Sequence, residues 1–569
     1  MRNQFKVKIV SFLIFIILLS LYQLSFAQIS SYQWANRLSS TLLDESFSIA
    51  IDNDGNCYVT GIFTGTAVLD DTTLVSRGKT DIFLAKYNPS GLLSWVKQVG
   101  GKEDDDGYAV YTDNDGHCYL AGSFSDTAYF ENDTLICFDT NIFYFDIFLA
   151  KYTLDGDLLW VKRAGEQYWD EAFGICTDAS GQIYITGSYW GTAKFDNITL
   201  TGLYGLGATD GFDVFIAKYD TAGNALWANR MVEKGWDRGS DVAVDLSGNC
   251  YVTGGFQTAL LFGGFGGPSL TATGGEGDED IFLVKYNPAG NFIWKTSAGG
   301  GKFDQARAIT VDEENNVYIT GVFNDTASFD STKKILSFGF NDIFIAKYDS
   351  TGQVLWAKGA GSTGDDGGND VITDREGNVF ICGYFGETAH FDNINIEGGG
   401  LFIAKYNPEG EAYWIKQISE PTNLAKSLVI DRGGDLIVTG VYENSATFGS
   451  TVLNGQGQTD VFITKLDTMT VTNLPFNAPS RPHRFYLSQN YPNPFNPRTV
   501  ISWQLASGSD VKLTVYNLLG QKVVTLVSER QKAGHHQVEW DATDFASGIY
   551  YCKIVAGEFQ AMMKMILIK

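Results

Sequence analysis

One string, Asp-Ile-Phe-Leu-Ala-Lys-Tyr at residues 81–87, recurs along the chain, with a Trp fourteen residues after its Asp. Copies begin at Asp81, Asp146, Asp213, Asp280 and Asp342, followed by Trp95, Trp160, Trp227, Trp294 and Trp356. Two copies are imperfect: residues 400–406 open with Gly400 and keep Trp414, and residues 460–466 open with Asp460 and have no Trp behind them. Trp34 is the converse, a Trp with no such string before it. Seven copies of each half are present, offset by half a repeat. A repeat of 58 to 67 residues restricts the fold more than composition can, because each copy must bury its faces against its neighbours.

Counting from each Trp, an Asp follows at +18 (Asp52, Asp113, Asp178, Asp245, Asp312, Asp374) and a Gly at +27 (Gly61, Gly122, Gly187, Gly254, Gly321, Gly383). Asp431 and Gly440 follow Trp414 one residue early. Between them lie turns such as Asp52-Asn53-Asp54-Gly55-Asn56, whose residues suit the tight angles of a β-hairpin. The flanks are strand-like, and a second hairpin joins the Asp-Ile-Phe string to the Trp segment. Each repeat is therefore four short strands, apolar on both faces because each sheet is sandwiched between two others. This predicts an all-β chain built on a seven-bladed β-propeller of four-stranded blades. A β-solenoid is the alternative, but its coils are shorter and lack such hairpins. The offset predicts that the strand around Trp34 completes the last blade beside residues 461–465, leaving no free edge.

Length varies in one place per repeat. From the Gly to the next Asp-Ile-Phe string the distance runs from 17 to 26 residues. The stretches 62–80, 123–145, 188–212, 255–279, 322–341, 384–399 and 441–459 are therefore expected as loops on one face, either a binding surface or tolerated drift. A second feature belongs near that face: an Asp at Trp+10, namely Asp44, Asp105, Asp170, Asp237, Asp304 and Asp366, with Asn423 near the seventh place. These six are the candidate ligand- or cation-binding residues, a ring of carboxylates near one mouth of the channel that could hold calcium or a cationic ligand. The competing reading is that each caps a turn by accepting backbone N–H bonds. Asp52–Gly55 resembles a calcium loop superficially, but lacks the distal acid and reads as a hairpin turn.

No catalytic constellation is recognisable. Five His occur (His117, His390, His483, His535, His536), none in a metal-ligand spacing, and there is no nucleophile elbow or phosphate loop. The expectation is a non-enzyme with no cofactor. Seven Cys are scattered, with Cys57, Cys118 and Cys250 at one repeat position in different units, so they read as buried small side chains.

The N-terminus carries Arg2, Lys6 and Lys8, an apolar run from Ile9 to about Leu24, and Ser25-Phe26-Ala27. Residues 1–27 read as a signal peptide, a retained anchor being the alternative, and no other segment could span a membrane. Removing three positive charges and no negative ones takes the net charge from −25 to −28. Such a surface repels nucleic acid and anionic lipid.

The pattern Asp-x-Ala-x-Ala-Val-x-x-Asp-x-x-Gly-Asn-x-Tyr-Val-Thr-Gly followed by Asp-Ile-Phe-x-Ala-Lys-Tyr resembles the bacterial β-propeller repeats known as SBBP, over roughly residues 30–466. The resemblance implies a secreted or surface protein and no particular reaction. Residues 467–484 read as a linker. Beyond it, alternating segments such as 501–505 and 511–515 suit a small Ig-like β-sandwich. Residues 485–569 resemble the type A C-terminal sorting domain of the Bacteroidetes type IX secretion system. That resemblance rests on Gln489-Asn-Tyr-Pro-Asn-Pro-Phe-Asn-Pro497, Val515-Tyr-Asn-Leu-Leu-Gly-Gln-Lys522, Trp540-Asp541, Ala546-Ser-Gly-Ile-Tyr550 and the end Lys564-Met-Ile-Leu-Ile-Lys569. It implies export by that machinery to the medium or outer surface of a Gram-negative bacterium. The expected partners are that machinery and an extracellular glycan or protein ligand. An extracellular polysaccharide hydrolase or lyase, or a structural surface-layer component, is the alternative.

Overall fold

The computed structural model describes residues 32–139, 142–202, 211–232, 235–262, 267–274, 277–418, 423–468, 486–487, 490, 493–505, 508–518, 520–532, 534–557 and 559–568. The expected signal peptide and most of the linker lie outside the described residues. Two compact units result, Met1–Asn473 and Leu474–Lys569. Both are all-β, with no helix among the described residues.

In the first unit an antiparallel four-strand order recurs. Asp44–Ile51, Cys57–Leu69, Thr72–Tyr87 and Leu93–Gly101 pair in sequence, and the same order follows from Asp105, Asp170, Arg238, Gln305 and Gly367. The last set differs in origin: Leu424–Ile430, Leu436–Tyr442 and Asp460–Leu466 take Tyr32–Ser39 as fourth strand, with Ala35 opposite Thr464 and Leu38 opposite Val461. The first strands of successive sets lie side by side, and Leu424–Ile430 lies against Asp44–Ile51, so the sheets close into a ring. The third strands, such as Asp146–Tyr152 and Asp280–Tyr286, are buried at every residue. Sheets packed on both faces require this.

Two contacts explain the invariant residues. Six of the fourth-strand Trp, from Trp34 to Trp356, reach the hairpin turn of the next set, the indole N–H bonding a turn carbonyl: Trp34 to Pro89 O (3.2 Å), Trp227 to Pro288 O (3.1 Å), Trp356 to Pro408 O (3.0 Å). The ring lies over the turn Gly; a Cβ on Gly91 would stand 2.5 Å from Trp34, and one on Gly290 2.7 Å from Trp227. These glycines have φ near +80°, so both conformation and space call for Gly. In the first five sets the third-strand Lys lies over the second-strand Tyr, as Lys86 over Tyr58 and Lys347 over Tyr318, and in the sixth over Phe380. Lys218 Nζ is 3.3 Å from Asp178 Oδ2 and 4.6 Å from the Tyr184 ring, and Lys218 is 3% exposed. Asp52 also accepts the turn N–H groups of Asp54 and Asn56, both at 2.9 Å, as a hairpin cap.

The stretches expected as variable loops are largely hairpins. Thr127–Phe130 with Asp133–Ile136, Thr192–Phe195 with Ile198–Thr201, and Ser445–Phe448 with Thr451–Asn454 pair antiparallel. In two sets the long strands simply continue into the hairpin. The period-two burial of Ala128 and Phe130, or Ala193 and Phe195, is the physical reason: these residues seal the edge of the core. The hairpins reach back to the preceding fourth strand, as with Tyr129 opposite Gly100 and Phe262 opposite Met231.

The second unit has a sheet of Tyr486–Leu487, Arg498–Leu505 and Gly534–Asp541, and one of Lys522–Gln531, Ser509–Asn517, Gly548–Ala556 and Phe559–Leu567. They share a core that includes Ile501, Trp503, Leu513, Trp540, Cys552 and Met565. All seven Cys are buried and free.

Candidate functional site

The six Asp at Trp+10 are buried, at 0–1% exposure, and lie off the channel wall. Each begins or immediately precedes a first strand and accepts backbone N–H groups. Asp105 Oδ2 takes Gly101 N at 2.6 Å; Asp170 Oδ2 takes Glu166 N at 2.8 Å; Asp237 Oδ1 takes Gln257 N at 3.0 Å. Asp44, Asp304 and Asp366 do the same with Ser40, Gly300 and Ser362. Asp44, Asp105, Asp170, Asp304 and Asp366 also neighbour a carboxylate from the preceding set. Burial, then hydrogen bonds working against it, then the Asp280 charge push Asp304 up to about 8; the same causes with Asp460 push Asp44 up to about 7. Asp105 and Asp170 are also raised by burial, with Asp81 and Asp146 beside them. Asn423, also buried, stands where the strand ahead opens with Gly400 instead of Asp. The two carboxylates are thus lost together. Among the described residues no group of three or more His, Cys, Asp or Glu is placed to hold a metal ion.

The channel wall is built by a different position. Every first strand carries a β-bulge, where the register skips Phe47, Tyr108, Phe173, Ser240, Arg307, Asn369 or Lys426. A bulge frees one residue from the ladder and re-aims its side chain. All seven line a central cavity of about 340 Å³. The next residue ties the ring together: Val110 N donates to Ser48 Oγ (3.2 Å), Ile309 N to Asp241 Oδ2 (3.0 Å), Leu428 N to Asp370 Oδ2 (2.9 Å), and Ile49 N to Ser427 Oγ (3.3 Å).

The wall is two-sided. Phe47, Tyr108 and Phe173 form an aromatic arc with centroids 5.4 and 5.0 Å apart, and the Arg238 guanidinium lies 3.7 Å over Phe173. Opposite, Arg307 Nη1 donates to Asn369 Oδ1 at 2.7 Å, and Lys426 Nζ is 3.6 Å from Glu45. Beside the arc, Tyr108 Oη donates to Glu171 at 3.1 Å. Burial, and next the Glu171 charge, push Asp106 up to about 7; burial also raises Glu171. The wall can stack an apolar or C–H face and bond hydroxyl or carboxyl groups. Sequence reasoning missed this position. Its signal was the mixture of large and polar residues at Trp+13 directly after a position that is Ser, Gly or Ala in every set.

Comparison with known proteins places a family on one part of the chain. Residues 489–569 match the family described as secretion system C-terminal sorting domain. An uncharacterised WD repeat-containing protein of Acanthamoeba polyphaga mimivirus is 23% identical over 72% of this chain and 36% of its own length. The regulatory protein FlaEY of Caulobacter vibrioides is 27% identical over 30% of this chain and 17% of its own length. The chain thus spans about a third or less of these curated relatives. Among solved structures, PorZ, a surface component of the type IX secretion system of Porphyromonas gingivalis, aligns over 94% of this chain and all of its own, with 11% identity and a TM-score of 0.20. A gluconolactonase of Xanthomonas campestris aligns over 62% and 90%, with 12% identity and a TM-score of 0.28. What the comparisons establish is that this all-β chain carries, at residues 489–569, a secretion-system sorting domain.

Proposed function

We propose that the protein is an extracellular binding module: a seven-bladed β-propeller, related to SBBP repeats, exported through the type IX system by an Ig-like sorting domain. Its ligand is a glycan or protein segment received at the channel. The observation that carries the reading is the bulge position, where side chains differ from set to set while the flanking scaffold repeats. Function concentrates where a rigid frame holds variable side chains. In this reading the six Trp+10 Asp serve the frame, as acceptors of backbone N–H bonds, and bind no calcium.

Expression in a host with a working type IX system tests the export half. The full chain should reach the surface or medium, and a chain ending at residue 488 should stay in the periplasm. Export of the shortened chain overturns this half. Binding is tested by thermal melts with polysaccharides and with host surface extracts. A rise in midpoint that Tyr108→Ala and Arg307→Ala abolish is the expected result.

A second reading, a glycan hydrolase, draws on one observation: Asp106 and Glu171 meet at Tyr108, with Asp106 pushed up to about 7. A raised carboxyl beside a second acid is an arrangement from which a general acid and its partner can be made. Release of reducing ends, lost in Glu171→Gln, would favour it over binding alone.

A further inference from the structure

The longest stretches between the Gly at Trp+27 and the next Asp-Ile-Phe string are in the second, third and fourth sets: 24, 26 and 26 residues, against 17 to 21 elsewhere. Part of this extra length, together with the turns before the first strands, brings aromatic rings together outside the core. Phe212, 8% exposed, is the base. Trp169, Trp190 and Trp236 approach it with centroids at 6.0, 5.6 and 5.2 Å. Tyr168 adjoins Trp190 at 5.7 Å, Tyr144 adjoins Tyr168 at 5.2 Å, and Phe145 adjoins Trp169 at 5.6 Å. The result is a branched aromatic ribbon across three neighbouring sets.

Three features set this ribbon apart from core overflow. Its outer members are exposed, Trp236 by 57% and Phe143, beside Tyr144, by 68%. Tyr168 holds φ +74°, while the other non-Gly residues with positive φ are Asp, Asn or Glu. A bulky residue in that region is strained, and such strain persists where the surroundings impose it, often at ligand sites. Its ring lies over Gly191, whose added Cβ would stand 3.5 Å away. Last, the Trp190 indole N–H is buried with no acceptor among the described residues, a cost normally offset by a partner.

We propose that this ribbon binds a neutral glycan chain. Aromatic faces carry the negative end of a quadrupole and attract the polarised C–H groups of a sugar ring, while tyrosine and indole edges serve its hydroxyls. The half-buried rings of Tyr168 and Trp190, 5.7 Å apart and inclined by 35°, with the exposed Trp236, offer stacking faces to an extended chain. The net charge of −25 selects against anionic polymers. This inference rests on reading the first unit as a binding module and moves the glycan contact from the channel to the rim of three sets.

Affinity electrophoresis of the full chain tests it, in gels cast with laminarin, xylan, mannan or hydroxyethylcellulose, with polygalacturonate as the anionic control. Retardation by at least one neutral polymer and not by polygalacturonate is expected. Trp236→Ala and Tyr168→Gly should each weaken it by about tenfold or more; Trp236→Ala should leave the melting midpoint unchanged because that ring is exposed. Tyr108→Ala, in the channel, should leave retardation intact. Retardation lost in Tyr108→Ala but kept in Trp236→Ala overturns the ribbon and leaves the binding reading standing. No retardation by any neutral polymer, or retardation by the anionic one alone, overturns the ribbon as a glycan site.

Discussion

Asp342 and Asp366, from successive sets of the ring, are both fully buried, and the Asp366 charge helps to raise Asp342. Burial, with the neighbouring acid adding to it, holds Asp342 at about 7. The folded value lies above the unfolded one, so the native state binds the proton more tightly. The stabilisation is complete below the unfolded value near 4 and is lost as pH rises through about 7. Asp44 and Asp304, pushed up to about 7 and about 8, act in the same direction. Asp113, Asp178 and Asp245 act oppositely: burial alone would raise them, but hydrogen bonds outweigh it, and their stabilisation is lost in acid. Melting midpoints should therefore peak near pH 5 and fall towards pH 8. Asp342→Asn should flatten the alkaline limb; an unchanged limb would refute Asp342 as its source.

The Trp-on-Gly contact should be costly to perturb. Gly290→Ala puts a methyl group 2.7 Å from the Trp227 ring at φ +80°, and a loss of roughly 2–4 kcal/mol is expected from overpacking plus backbone strain. Gly434 has φ +88° with nothing within 4 Å, so Gly434→Ala should cost only about 1 kcal/mol. Urea midpoints of the two variants decide; equal losses would show that backbone angle alone matters.

Lys218 is a buried charge held by Asp178 at 3.3 Å. Lys218→Met leaves a carboxylate without its cation and should cost about 3–5 kcal/mol. The double variant Lys218→Met, Asp178→Asn should recover part of that loss. A double variant as weak as the sum of the single ones would mean that the pair is not coupled.

Strand Tyr32–Ser39 covers the edge of Asp460–Leu466. A chain starting at residue 40 would bare that edge and should melt lower and self-associate, since an open strand edge recruits another. Size-exclusion chromatography and a melt read both effects. A shortened chain that stays monomeric with an unchanged midpoint would remove closure as a source of stability.

Much of the frame was legible in the repeat. Trp, the turn Gly and the Asp at Trp+18 recur because each makes the same contact in successive sets. The hairpins were hidden because Thr-Ala-Tyr-Phe at 127–130 and Thr-Ala-Lys-Phe at 192–195 are too short to stand out against variable flanks. The Asp at Trp+10 stands out through regularity, and the structure places these side chains in buried positions that accept backbone N–H bonds. The channel residues, from Phe47 to Lys426, are irregular and so escaped notice.

The sequence by itself determined the period, the strand order, the offset that pairs Trp34's strand with the Asp460 string, and the secretion address in residues 489–569. Each of these rests on local pattern, which a repeat states many times over. Only the tertiary structure decided which residues face the channel, which carboxyls share a buried space, and that Tyr144, Tyr168, Trp190 and Trp236 meet. Those juxtapositions depend on a one-residue bulge and on contacts between sets, and spacing along the chain encodes neither.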